Sequence, residues 1–362
     1  MKTRILIFLF LLAGLPAFTQ NGYQIKVTLK PFTGGYLYLG HHFGSKQYII
    51  DSAAINSNSE VVFSGKEKLF GGVYMVIYPQ KNGWFEMLVD QQQHFAVTAD
   101  TTDIIGKTQF TNSSDNRLFQ AYQQIAQEKG KAITLLQKQL KESAGGTEAA
   151  GIQSKITVLN EEMHRYRRQF IQEHPAHLLS AIFHVLQEPE IPDASRHPGG
   201  KYDSAFAYQY YKQHYWDGVS FTDERLVRTP VFEPKLQRYF SNVLQQQPDT
   251  LSKAANRILD ASISNKEMFK FVLSALTEKY INPTYMGQDA VFVNLFERYY
   301  APGKADYWIS DKYRKVVFDR AYSVMANLIG EKAADMNMVD SSGKSAPLYS
   351  IKAPYIVICF WD

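Results

Sequence analysis

The feature that most limits the fold of this chain is a change of hydrophobic period near residue 112. From Gly22 to about Phe110 apolar side chains recur at alternate positions, as in Tyr23-Gln-Ile25-Lys-Val27-Thr-Leu29, Val61-Val-Phe63 and His94-Phe-Ala-Val97. Successive side chains of a strand point to opposite faces, so this spacing belongs to strands with one buried face. Turn-forming stretches separate the runs: Pro31-Phe-Thr-Gly34-Gly35, Asn56-Ser-Asn58, Gly71-Gly72 and Pro79-Gln-Lys-Asn82-Gly83. The pattern predicts an antiparallel β-sandwich of seven or eight short strands over residues 21–112. Within it, Asn82-Gly83 is expected to supply the positive φ angles of a hairpin turn.

Beyond Thr111-Asn-Ser-Ser-Asp115, whose side chains can cap a helix by accepting from its unpaired amides, the period becomes helical. Leu118, Tyr122, Ile125, Ile133, Leu136 and Leu140 form one stripe. After a flexible link at 144–151, Ile152, Ile156, Leu159, Met163, Tyr166 and Phe170 recur at spacings of four and three. The two segments predict an antiparallel helical hairpin ending before Pro175. Further helices are expected at 176–187, 202–215, 235–246, 251–262, 266–280, 289–300 and 309–328. An irregular all-α domain over 113–332 follows.

At 362 residues the chain exceeds one ordinary core. Residues 1–20 read as a secretory signal: Lys2 and Arg4, an apolar block from Ile5 to Leu15, then Ala17 and Thr19 before Gln20. The block is short for a membrane span, so an exported protein of the periplasm or cell envelope with no transmembrane anchor is expected. Without Lys2 and Arg4 the 39 basic side chains fall to 37 against 35 acidic ones, a net charge near +2. That balance is no nucleic-acid footprint. The single cysteine, Cys359, falls in the apolar run Tyr355-Ile-Val-Ile-Cys-Phe360 and is expected to be a small buried hydrophobe of a strand covered on both faces. One cysteine permits no intrachain disulfide.

No phosphate-cradling glycine loop, nucleophile elbow, zinc-protease helix or cysteine-pair motif is present, so no catalytic residue, cofactor or metal ligand is expected. His174-Pro-Ala-His177, with His164 and His184, lacks acidic or cysteine partners at ligand spacing and reads as solvated or capping histidines. Arg165, Arg167 and Arg168 beside Glu161 and Glu162 read as solvated pairs on a helix face. His94 reads as a half-buried sheet residue and Asp289 as the start of a helix. The segment Asp217 to Pro230, with Trp216 just before it, supplies the candidate partner-binding residues Trp216, Asp223, Arg225 and Arg228. An arginine in such a loop can hold a carboxylate or backbone carbonyls, or Asp223 and Arg225 can tie the loop to itself.

Near the C-terminus, Asp340-Ser-Ser-Gly343, Leu348 and the closing Phe360-Trp361 resemble the lead-in to the thioredoxin-like domain of exported thiol-disulfide oxidoreductases of the TlpA/ResA type. Such proteins often carry a β-rich module and then a helical one. His214-Tyr-Trp216-Asp217, Phe221-Thr-Asp223-Glu-Arg225-Leu-Val-Arg228-Thr-Pro230, Met286-Gly-Gln-Asp289-Ala-Val-Phe-Val293, and Tyr299-Tyr300 ahead of Gly303 and Trp308 are similar to the helical one. The resemblance implies that residues 333–362 are the first elements of a thioredoxin-like α/β domain whose Cys-x-x-Cys lies past Asp362. The class is then α+β and multidomain. It implies an accessory region that serves disulfide exchange with protein thiols and disulfides, inactive without the cysteine pair. A non-enzymatic envelope module that binds glycan or peptide through its tyrosines and tryptophans is the alternative.

Overall fold

A computed structural model describes residues 22–143 and 145–359; the expected signal at 1–20 and the Phe360-Trp361-Asp362 ending lie outside them. The chain is α+β and divides into two compact units, residues 1–187 with 228–232, and residues 188–227 with 233–362. The strand region and the helical hairpin therefore share one unit.

Eight strands open the first unit: β1 (Tyr23–Lys30), β2 (Tyr36–Phe43), β3 (Lys46–Ala54), β4 (Glu60–Gly65), β5 (Gly72–Ile77), β6 (Trp84–Val89), β7 (His94–Asp100) and, after the short helix α1 (Ile104–Lys107), β8 (Gln109–Thr111). They form two four-stranded sheets, ordered β4-β1-β7-β8 and β3-β2-β5-β6. The pairings are antiparallel except β1 with β7, which run parallel because the chain visits the second sheet between them. Alternate residues of both sheets meet in one core: Ile25, Val27 and Leu29 of β1, Leu37 and Leu39 of β2, and Phe85, Met87 and Val89 of β6 are among its buried members. The β5–β6 hairpin closes as expected, with the Tyr78 amide donating to the Gly83 carbonyl at 2.9 Å. Its left-handed residue is Lys81 (φ 56°), however, since the bend falls at Pro79-Gln80. Gly83 is needed for a different reason: a Cβ there would lie 2.6 Å from the Tyr78 ring.

The hairpin is α2 (Ser114–Glu142) and α3 (Gly146–Glu173), followed by α4 (Leu178–Leu186). Ser113 caps α2 and His177 caps α4 through its ring nitrogen. Helix α3 begins at Gly146, so most of the link expected at 144–151 is helical. Phe119 of α2, Phe170 of α3 and Leu178, Leu179, Ile182 and Phe183 of α4 pack with Val73 of β5 and Leu88 of β6. Those two residues lie on the face of the second sheet opposite the sandwich core. This sheet is thus buried on both faces at one end.

A strand edge beneath an apolar cluster cannot reach water with its amides, and unpaired buried backbone groups are costly. Asn116 solves this for β6: its carboxamide oxygen accepts from the Leu88 amide at 2.7 Å and its nitrogen donates to the Leu88 carbonyl at 2.8 Å. The carboxamide is fully buried and also donates to the Ser113 hydroxyl at 2.9 Å.

In the second unit, α5 (Ser204–His214), α6 (Phe232–Arg238), α7 (Pro248–Ser262), α8 (Lys266–Tyr280), α9 (Asp289–Leu295) and α10 (Asp311–Met325) follow the expected helices closely. Helices α6 and α9 each run into a wider turn of π type, at Tyr239–Val243 and Phe296–Tyr300. The C-terminal hairpin pairs β9 (Asn337–Val339) with β10 (Ser345–Pro347). The strand expected at 355–360 does not form over its described residues, and Cys359 is exposed rather than buried. Without a neighbouring strand among the described residues, an apolar run has no ladder to join and no face to bury. No helix among the described residues is long and apolar enough to cross a membrane.

Replacing Asn116 by alanine should lower stability by about 2–4 kcal/mol, because both Leu88 groups lose their partner in a buried site. Urea denaturation measures this; a loss below about 1 kcal/mol would mean that water takes the carboxamide's place.

Candidate functional site

The loop residues singled out from sequence divide between the two units, Trp216, Asp223 and Arg225 in the second and Arg228 in the first. Arg225 donates from Nε to Asp223 Oδ1 at 2.8 Å and from Nη2 to Asp223 Oδ2 at 2.7 Å, while its backbone amide donates to Oδ1 at 3.1 Å. The bidentate pair ties the loop to itself. Trp216 is buried in the second unit, edge-on to Phe221 and Tyr239 with centroids 5.2 and 5.4 Å apart. Arg228 belongs to the first unit, where its guanidinium lies 4.2 Å from the Phe70 ring centroid and 5.7 Å from that of Phe43. Gly72 permits this approach, since a Cβ there would fall 2.4 Å from Arg228 Cβ. Burial pulls the nearby His41 down, and the Arg228 and His42 charges add to that effect against a backbone hydrogen bond. Burial likewise pushes Tyr74 up to about 12.

The histidines are placed as structural groups. His174 packs on the Phe170 ring at 4.7 Å, and His177 caps α4 with Nε2 3.5 Å from Asp115 Oδ1. His94 bonds the Gly22 carbonyl at 3.2 Å, and Asp289 is the first residue of α9. Among the described residues no three His, Cys, Asp or Glu side chains could share a metal ion. The arginine cluster is less solvated than expected. Arg167 donates to the Tyr122 hydroxyl at 2.9 Å and lies over the Tyr122 and Phe183 rings, and Glu162 pairs with Lys129 across the hairpin.

Among the basic groups of the second unit, Lys235 has a strongly displaced proton affinity. Burial pulls the Lys235 ammonium down to about 8, although Glu188 opposes the shift. Its Nζ lies 4.7 Å from the Tyr215 ring centroid, and its carbonyl accepts from the Tyr215 hydroxyl at 3.1 Å. Aromatic faces compensate part of the lost hydration. Glu188, Tyr211 and Arg238 form a hydrogen-bonded group nearby, with Arg238 donating to Glu188 at 2.7 Å and to the Tyr211 hydroxyl at 3.0 Å.

A cleft of about 340 Å³ lies in the first unit, lined by residues 84–86 of β6, Ile104 and Ile105 of α1, and Gln123 of α2. Glutamine side chains hold its far wall: Gln120 donates to the Ile105 and Thr108 carbonyls, and Gln124 to Ile105 at 3.2 Å. On the near wall Trp84 is 49% exposed, and Glu86 is fixed by the buried His42, whose Nε2 lies 2.8 Å from Glu86 Oε1. Sequence reasoning did not find Asn116, Glu86 or the cleft. The only sequence signal was Trp84 and Glu86 at outward positions of an alternating strand.

Comparison with known proteins finds two modules. Residues 23–119 match a family model described as Domain of unknown function (DUF4369), and residues 148–323 match another described as Domain of unknown function (DUF5106). No curated protein and no solved structure matches the chain. The first match spans the eight strands and enters α2; the second runs from α3 into α10.

The Lys235 geometry gives a pH dependence whose sign follows from proton binding. Between about 8 and the ordinary lysine value of 10.5 the unfolded chain holds a proton that the folded chain has released, so stability rises with pH across that window. Below it the penalty is fully present, at about 3 kcal/mol. Lys235→Met should therefore stabilise the protein at pH 7 by about 2 kcal/mol, with the gap closing toward pH 10. Buried tyrosines, which oppose the trend near pH 10, are common to both proteins and cancel in the difference. Paired thermal melts across pH 7–10 measure this, and a constant gap would refute it.

Proposed function

We propose that the chain is the non-catalytic accessory region of an exported thiol-disulfide oxidoreductase, and that it acts in the cell envelope beside a thioredoxin-like domain carrying the cysteine pair. The observation that carries this reading is the C-terminal hairpin. Asp340 Oδ1 accepts from the Ser342 and Lys344 amides at 2.8 and 3.0 Å, Gly343 takes the left-handed angle (φ 81°) that the turn requires, and Leu348 is buried. These residues carry the resemblance to the lead-in of such a domain. The match over residues 23–119 supports the same reading, because modules of that kind are often linked to thiol-disulfide oxidoreductases.

In this reading the chemistry resides in the cysteine pair beyond Asp362. A thiolate there attacks a client disulfide, the second thiol resolves the mixed disulfide, and the client leaves reduced. Cys359 takes no part: it is a single exposed thiol in a segment that has no ladder partner among the described residues. The two units described here contribute binding and positioning.

The reading is tested by sequencing the gene past codon 362 and assaying both products. The 362-residue chain should not turn over insulin disulfides, whereas the extended product should, and serine at its two cysteines should abolish the reaction. A stop directly after Asp362, or turnover by the short chain, would overturn it.

A further inference from the structure

The β6 edge is closed at one end and open at the other. In an antiparallel pair the N–H and C=O of one residue point the same way, and this direction alternates along the strand. The Tyr78–Gly83 hydrogen bond makes the next pair, Ile77 with Trp84, a non-bonded one, so the amide and carbonyl of Trp84 point away from β5. The same parity turns Glu86 and Leu88 outward. Asn116 confirms it independently by bonding both Leu88 groups from the outer side. The outward groups of Trp84 and Glu86 have no such partner among the described residues, and they face the 340 Å³ cleft.

We propose that this open edge binds an extended polypeptide segment of a partner protein, which joins the second sheet beside β6 and continues the row of hydrogen bonds that Asn116 begins. The occupant follows from the chemistry of the edge. The Asn116 carboxamide presents an acceptor and a donor side by side, as the C=O and N–H of one extended residue do, and it already sits where such a residue of the next strand would lie. The two unmet residues beyond it repeat at the two-residue spacing that an extended backbone satisfies and a compact ligand does not. Beside them Trp84, Ile104 and Ile105 offer an apolar surface for one side chain of the incoming segment. Glu86 is held by His42 rather than presented as a free charge, so recognition rests on backbone and apolar contacts and tolerates varied sequences. The inference concerns the first unit alone and stands whether or not a redox domain follows.

Hydrogen exchange read at single amides tests it, using the full chain and a reduced, carboxymethylated lactalbumin as a permanently unfolded polypeptide probe. Without probe, the Trp84 and Glu86 amides should exchange fast while Phe85 and Met87, bonded to β5, exchange slowly. At saturating probe the first two should slow by about tenfold or more. Trp84→Pro and Trp84→Val both remove the ring, but only the first removes the outward amide, and proline is tolerated at the first residue of an edge strand. The proline variant should bind the probe about tenfold more weakly than the valine variant. Equal binding by the two variants, unchanged exchange at saturation, or protection of both amides in the dilute protein without probe, as a second copy covering the edge would give, would each overturn the proposal. Should the proline variant fail to fold, the wild-type exchange pattern decides the matter.

Discussion

The first unit depends on satisfying an edge strand in a place where water cannot reach. Val73 and Leu88 turn toward an apolar cluster of three helices, so the second sheet is buried on both faces at that end. Burial of the side chains also buries the backbone groups of Leu88. Asn116, on the first turn of α2, supplies a donor and an acceptor side by side, as one residue of a neighbouring strand would. Ser113 caps that turn and also bonds the carboxamide, so helix start and strand edge are fixed by one connected set of hydrogen bonds. The position of α2 over β6 follows, and with it the limit between the closed and open parts of the edge.

The second unit is held differently. Part of its aromatic content is core: Tyr215, Tyr280, Tyr299 and Tyr300 are almost fully buried, whereas Tyr202, Tyr285 and Tyr322 are exposed. Several place their hydroxyls on internal partners, Tyr215 on the Lys235 carbonyl, Tyr299 on Asp260 and Tyr300 on Thr277. A phenol buried with its hydroxyl bonded brings large apolar area into the core without an unpaired polar group. Composition alone cannot separate the buried rings from the exposed ones, since both are the same residues.

The loop around Asp217 to Pro230 shows where local reading stops. The carboxylate of Asp223 and the guanidinium of Arg225 lie two residues apart, and their mutual bond is a local matter that sequence spacing can suggest. Arg228 is three residues further on, yet it belongs to the other compact unit and lies on Phe70 and Phe43. No periodicity links residue 228 with residues 43 and 70. The same is true of Asn116 and Leu88, 28 residues apart, and of His42 and Glu86, 44 apart.

The sequence by itself determined the α+β class, the strands and most helices, a helix cap within Thr111–Asp115 and the hairpin, because each depends on side-chain spacing within a few residues and on local hydrogen-bonding chemistry; the structure places that cap at Ser113. Tertiary structure alone decided the parallel pairing of β1 with β7, the grouping of the hairpin with the sandwich, and the open stretch of the β6 edge. It also decided that Cys359 is exposed: an apolar run specifies the capacity to be buried, and only a paired strand beside it turns that capacity into burial. These outcomes rest on which distant segments meet, and the backbone groups that meet there are the same in every residue, so side-chain pattern carries no record of them.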